Sequence, residues 1–115
     1  MSNLTTHVLD TSQGKPAEGM KIQLFKIEDK KSVQLAEVIT NKDGRVDQKL
    51  FKSENNIGIY ELRFFAGDYF NKENLKLTKI KFLDEITIRF GISDDTHYHV
   101  PLLISPYGYS TYRGS

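Results

Sequence analysis

Apolar and polar residues alternate with a period of two along most of this chain. In "MKIQLFKIE" (Met20 to Glu28), Met20, Ile22 and Leu24 fall on one side and Lys21, Gln23 and Phe25 on the other. In "IYELRFF" (Ile59 to Phe65), Tyr60, Leu62 and Phe64 oppose Ile59, Glu61 and Arg63. In "EITIRFGIS" (Glu85 to Ser93), Ile86, Ile88, Phe90 and Ile92 oppose Thr87 and Arg89. Successive side chains of a strand point to opposite faces, so this spacing predicts half-buried strands. Shorter strands are predicted over Thr5 to Asp10, Gln34 to Thr40, Gly44 to Lys49, Tyr98 to Ile104 and Tyr109 to Arg113. The turn-forming runs "SQGKPAEG", "NKDG", "ENNIG" and "SPYG" separate them. One segment breaks the pattern. "GDYFNKENL" has Asp68 in position to cap a helix and Tyr69 or Phe70 near Leu75 at helical spacing, which predicts a short helix over 67–75. Many short strands with one helix predict an all-β antiparallel sandwich or barrel.

Parity also sorts the histidines. In "THYHVPLLI", Tyr98, Val100, Leu102 and Ile104 share the face that must be the core side. His97, His99, Pro101 and Leu103 share the other. Pro101 has no N–H to donate and needs an edge or a gap in the ladder. In "TTHVLD", Thr6 and Val8 share one face while Thr5, His7 and Leu9 share the opposite one. An outward Leu beside an outward His suggests a surface covered by another subunit. The terminal segment has large groups on both faces, Tyr109, Thr111 and Arg113 against Ser110 and Tyr112. Three readings of the outward histidines stand at this point. They are solvated, or they titrate near neutral pH in a site, or His97 and His99 are half of a metal site completed by His7 or a carboxylate. Arg45, just after the Asp-Gly turn, reads on its own as a solvated rim charge.

The bulk numbers narrow the field. The chain has 115 residues, enough for a single domain over 1–115. It is 38% hydrophobic and 27% charged, which excludes a disordered tail. A net charge of +1 gives no global field for nucleic acid or anionic lipid, so neither is expected as a partner. There is no Cys, hence no disulfide and no thiol nucleophile. No Gly-rich phosphate loop opens a helix, and no Ser sits in a nucleophile elbow. The first residues carry no secretory or transit pattern, no apolar run is long enough to span a bilayer, and the last three residues are not a peroxisomal signal. A cytoplasmic protein is the expectation.

Four stretches together carry a family likeness: "HVLD", "GKPAEGM", "TNKDGR" and "HYHVPLLISPYGYSTYRGS". From about Thr6 to Ser115 the chain resembles the 5-hydroxyisourate hydrolases, the transthyretin-like proteins of urate catabolism, and "YRGS" is the most specific element. The resemblance implies a prealbumin-type sandwich of eight antiparallel strands with one short helix, assembled as a homotetramer whose active sites lie where dimers meet. It implies His7, Arg45, His99 and Ser115 as catalytic residues, and Tyr112, Arg113 and Gly114 as substrate-binding ones. It implies metal-independent hydrolysis of 5-hydroxyisourate to 2-oxo-4-hydroxy-4-carboxy-5-ureidoimidazoline, with no cofactor. Transthyretin, the hormone carrier of the same fold, lacks the two His, the Arg and "YRGS", so the likeness is to the enzyme; a carrier without turnover is the alternative. Two departures, "FFAGDYF" and the Leu-Asp of "KFLDEITI", lie outside the implied site.

Overall fold

The computed structural model describes residues 3–52 and 55–114. Among these, the elements in order are β1 (Asn3–Thr5), β2 (Val8–Asp10), β3 (Lys15–Pro16), β4 (Lys21–Glu28), β5 (Lys31–Ile39), β6 (Gly58–Phe65), α1 (Ala66–Lys72), β7 (Glu85–Ile92), β8 (His97–His99), β9 (Leu102–Ser105) and β10 (Gly108–Thr111). One sheet has the order β5-β4-β6-β7 and is antiparallel throughout. The second has the order β10-β9-β2-β3, and β1 pairs with β8 as its own two-stranded ladder.

These ladders differ from the expectation in one respect. β1 runs parallel to β8, and β2 runs parallel to β9. The two pairings share one register: Thr5 faces His99 and Val8 faces Leu102, each three residues further along both segments. β1 and β2 are therefore one strand interrupted at Thr6 and His7, opposite Val100 and Pro101. Pro101 has no N–H for the ladder at that point. The gap is bridged by Val100 N–H to the Thr5 carbonyl (2.9 Å), Leu102 N–H to the His7 carbonyl (2.9 Å), and Thr6 Oγ1 donating to the Val100 carbonyl (2.7 Å). Read with these interruptions closed, and β8 and β9 likewise as one strand, the architecture is the expected eight-stranded sandwich.

The core joins both sheets. Leu4, Val8, Tyr98, Val100, Leu102 and Ile104 meet Ile22, Leu24, Tyr60, Leu62, Phe64 and Ile86 in one buried cluster. The alternation read from the sequence is thus the alternation of burial except at Phe25, beside an irregularity in the β4–β5 ladder, and at Glu61, which is buried between Arg63 and Arg89. Two predicted elements move. Gly44 to Lys49 is not a strand; only Arg45 makes a bridge, because the segment is held as a turn. α1 spans 66–72 and not 67–75, with Phe65 at the N-cap and Asp68 inside the first turn. It ends where Asn74 takes a positive φ of 58°.

Asp10 ties α1 to the second sheet. Its carboxylate is fully buried and accepts from the Tyr69 hydroxyl (2.8 Å), the Ser12 hydroxyl (2.5 Å) and amide (3.0 Å), the Gln13 amide (3.2 Å) and Gln13 Nε2 (2.8 Å). Burial pushes its pKa up, but these donors more than offset that and hold it below the ordinary value. Its contribution is present above the ordinary carboxylate pKa and is lost as pH falls through the lowered one. Asp10→Asn replaces an acceptor-only group by one that also points donors at donors. Thermal unfolding is expected to show a loss of about 1–3 kcal/mol; an unchanged melting temperature would count against this account.

Candidate active site

The shared register of the parallel ladders builds the site. His99 faces Thr5 and His7 faces the gap at Pro101, so His7 and His99 are diagonal neighbours on the outward face. Nδ1 of His7 lies 2.8 Å from Nε2 of His99. The ring centroids are 4.9 Å apart and the planes differ by 19°. That separation is about the nitrogen–nitrogen distance plus two ring radii, so the rings meet edge to edge through a hydrogen bond and do not overlap face to face.

Arg45 is delivered from the turn after β5. Asn41 organises that turn: its side-chain oxygen accepts from the amides of Asp43 (2.9 Å) and Arg45 (3.1 Å), and its own amide donates to the Arg45 carbonyl (2.7 Å). Gly44 has φ +73°, and a Cβ there would overlap the Val8 carbonyl oxygen. Glycine lets the turn lie flat on β2, where Val8 N–H donates to the Gly44 carbonyl (2.9 Å) and Arg45 pairs with His7. The guanidinium is then near both imidazoles.

The end of the chain closes the site from the other side. Gly114 N–H donates to the His99 carbonyl (2.8 Å). A Cβ on Gly114 would stand 2.6 Å from Cδ2 of His99, so the ring lies directly on the glycine. Thr5, Arg45, His97, His99, Tyr112 and Gly114 line an open cleft of about 470 Å³. Of the expected residues, His7 is hydrogen-bonded to His99 but is not itself among these lining residues, and Arg113 is not brought there. Its guanidinium lies over the Tyr98 ring (4.0 Å) and donates to Thr96 Oγ1 (3.2 Å), beside a smaller recess of about 250 Å³ at the β7 edge. Ser115 lies outside the described residues.

Both paired histidines are weakened as bases relative to free imidazole. Burial lowers the pKa of His7, and the Arg45 charge lowers it further. Burial also lowers that of His99, with His7, Arg45 and His97 acting in the same direction. At neutral pH both rings are therefore uncharged, each with one proton to give and one lone pair to accept. Among the described residues no group of three His, Asp or Glu side chains is placed to hold a metal ion.

The model of the HIUase/transthyretin family matches residues 4–114. The chain belongs to this family. A 5-hydroxyisourate hydrolase of Pseudomonas aeruginosa is 51% identical over 117 residues, covering 100% of this chain and 93% of the relative. The solved structure of Klebsiella pneumoniae 5-hydroxyisourate hydrolase covers 100% of both chains at 37% identity and a TM-score of 0.83. Sea bream transthyretin, solved with thyroxine, is 22% identical with a TM-score of 0.86, over 97% of this chain and 94% of its own, and shows the common fold alone.

The site implied by the resemblance includes neither Thr5 nor His97. Thr5 Oγ1 lies 2.7 Å from Nδ1 of His99 and 2.9 Å from Nε2 of His97. The signal was present: strand parity put Thr5 on the same face as His7, and His97 on the same face as His99.

Proposed function

We propose that this protein is a metal-independent 5-hydroxyisourate hydrolase of urate catabolism, a cytoplasmic homotetramer that opens the substrate ring to give 2-oxo-4-hydroxy-4-carboxy-5-ureidoimidazoline. The observation that carries the reading is the His7–His99 hydrogen bond beside Arg45. Ring opening needs a base for the attacking water, an acid for the departing ring nitrogen and positive charge for the carbonyl oxygen. Two neutral imidazoles sharing one hydrogen bond supply a base and an acid in one unit. Arg45 offers a planar cationic fork to an anionic, purine-like ring and to the oxyanion formed at C6. Tyr112 lines the same cleft with an exposed ring against which a flat substrate stacks. Gly114 keeps His99 in place, and Ser115 is assigned the orientation of the water. His7 and His99 commit a nitrogen each to one another, and the substrate is already an activated amide, so the chemistry asks nothing of a metal. Assembly is supported by a β10 exposed at every residue and by the exposed rings of Tyr107, Tyr109 and Tyr112.

The test is turnover of freshly prepared 5-hydroxyisourate with chelator present, followed across pH on a preparation whose sedimentation mass is compared with four 13.2 kDa chains. Turnover well above spontaneous decay is expected. The acid limb of kcat/KM should fall below the ordinary imidazole pKa of about 6.5, because burial and Arg45 hold both histidines down. Saturable binding without turnover would replace the hydrolase by a carrier.

A further inference from the structure

The hydrogen bonds around Thr5 extend the histidine pair into a longer chain. From one end it runs His7 Nδ1 to His99 Nε2 (2.8 Å), His99 Nδ1 to Thr5 Oγ1 (2.7 Å), and Thr5 Oγ1 to His97 Nε2 (2.9 Å). The remaining ring nitrogens, His7 Nε2 and His97 Nδ1, are its two ends. His99 is half-buried in the middle, and His97 is exposed. A hydroxyl has one proton and can accept another, and each neutral imidazole does the same. Every link can therefore be satisfied with all protons pointing toward His97 or all pointing toward His7.

We propose that Thr5 and His97 are positioning residues that make this chain a two-way proton relay between the reacting water and bulk solvent. The inference rests on the hydrolase reading above. With the protons pointing toward His97, His7 Nε2 holds a lone pair and takes a proton from the attacking water. His7 Nδ1–H then passes to His99 Nε2, His99 Nδ1–H to Thr5 Oγ1, and the Thr5 hydroxyl proton to His97 Nε2. His97 releases its Nδ1 proton to solvent. One proton has entered and one has left, and no charge stays in the site. His7 Nε2–H is now the acid for the departing ring nitrogen. When it donates, the chain runs backward and draws one proton from solvent at His97. The relay thus resets in each turnover and converts the same nitrogen from base to acid.

Two features support a relay over a static brace. Among the described residues, the charged and titratable groups facing His99 are His7, His97 and Arg45, with Tyr112 lining the same cleft, and none of these is a carboxylate that would hold an imidazolium in place. A proton taken from water finds its onward path among them through Thr5 to His97. A Thr at position 5 is also the one link that is not itself titratable near neutrality, so it connects the exposed His97 to the half-buried pair without adding charge.

Thr5→Val keeps the shape and removes the hydroxyl; Thr5→Ser restores it; His97→Gln removes the solvent end. Thr5→Val and His97→Gln are expected to lower kcat about tenfold or more with KM little changed, and Thr5→Ser to stay near wild type. Added imidazole buffer should raise kcat of Thr5→Val and His97→Gln and leave the wild type unchanged. Full kcat in both impaired variants overturns the relay, as does a loss that imidazole does not relieve and Thr5→Ser shares. Nitrogen NMR of the histidine rings is read in parallel. Titration of His97 should perturb His99 in the wild type and not in Thr5→Val, a result that stands even if the wild type proves to have no hydrolase activity. Independent titration of the rings in the wild type overturns the proposal whatever the kinetics show.

Discussion

His7→Asn and His99→Asn should each cost about 10²–10⁴ in kcat, the range for a positioned acid–base group. That corresponds to roughly 3–5 kcal/mol of transition-state stabilisation. The sharper expectation concerns the double variant. Because Nδ1 of His7 and Nε2 of His99 share one hydrogen bond, either loss disconnects the same proton path. The double substitution should therefore be no slower than the worse single one, as expected of residues that act as a unit. Multiplying effects would mean two independent groups. Rates must be read as the excess over spontaneous decay of 5-hydroxyisourate, and retention of wild-type rates by both singles would remove the histidines from the mechanism.

Gly114→Ala should be nearly as damaging, although it removes no functional group. The added methyl meets Cδ2 of His99 at 2.6 Å, Cγ at 3.1 Å and Cβ at 3.2 Å. The ring must turn away, or residues 112–114 must withdraw and give up the Gly114–His99 backbone bond of 2.8 Å. The first movement takes His99 off Thr5 and His7, and the second pulls Tyr112 and Gly114 out of the cleft. Displacements of about 1 Å in a catalytic group can cost about 10²-fold in rate, so a fall of that order in kcat is expected. The sheets do not depend on this contact, so circular dichroism, melting temperature and assembly mass should stay close to wild type. A variant with normal kcat would show that His99 tolerates movement.

Much of this was legible in the sequence because a strand has a strict period. Parity alone put Tyr98, Val100, Leu102 and Ile104 inward and turned His7 and His99 outward, and burial follows that order. The resemblance then joined Arg45 to the two histidines, and the structure does bring those three together. Pairing partners were not legible. Nothing in the residues says that Thr5 faces His99 across a parallel ladder, since register is fixed by the whole sandwich. Arg45 falls in the short strand expected over Gly44 to Lys49, but Asn41 and Gly44 hold the turn shut. Arg113 was grouped with "YRGS" as a block. An extended segment cannot send every side chain into one cleft, and Arg113 goes to Tyr98.

The parallel pairing of β1 with β8 and of β2 with β9 also sets when the protein becomes competent. Thr5 and His99 are 94 positions apart in sequence, and Gly114 closes on His99 later still. The antiparallel sheet of β4 to β7 can assemble from neighbouring segments, whereas the cleft waits for contacts between segments far apart in the sequence. On a ribosome that adds residues from the N-terminal end, β1 and β2 emerge early and remain without β8 and β9 until residues 97–105 have been added. An exposed strand edge is sticky during that interval. The arrangement makes translation itself a gate: until β8 is made, His7 and Thr5 have no His99 to meet.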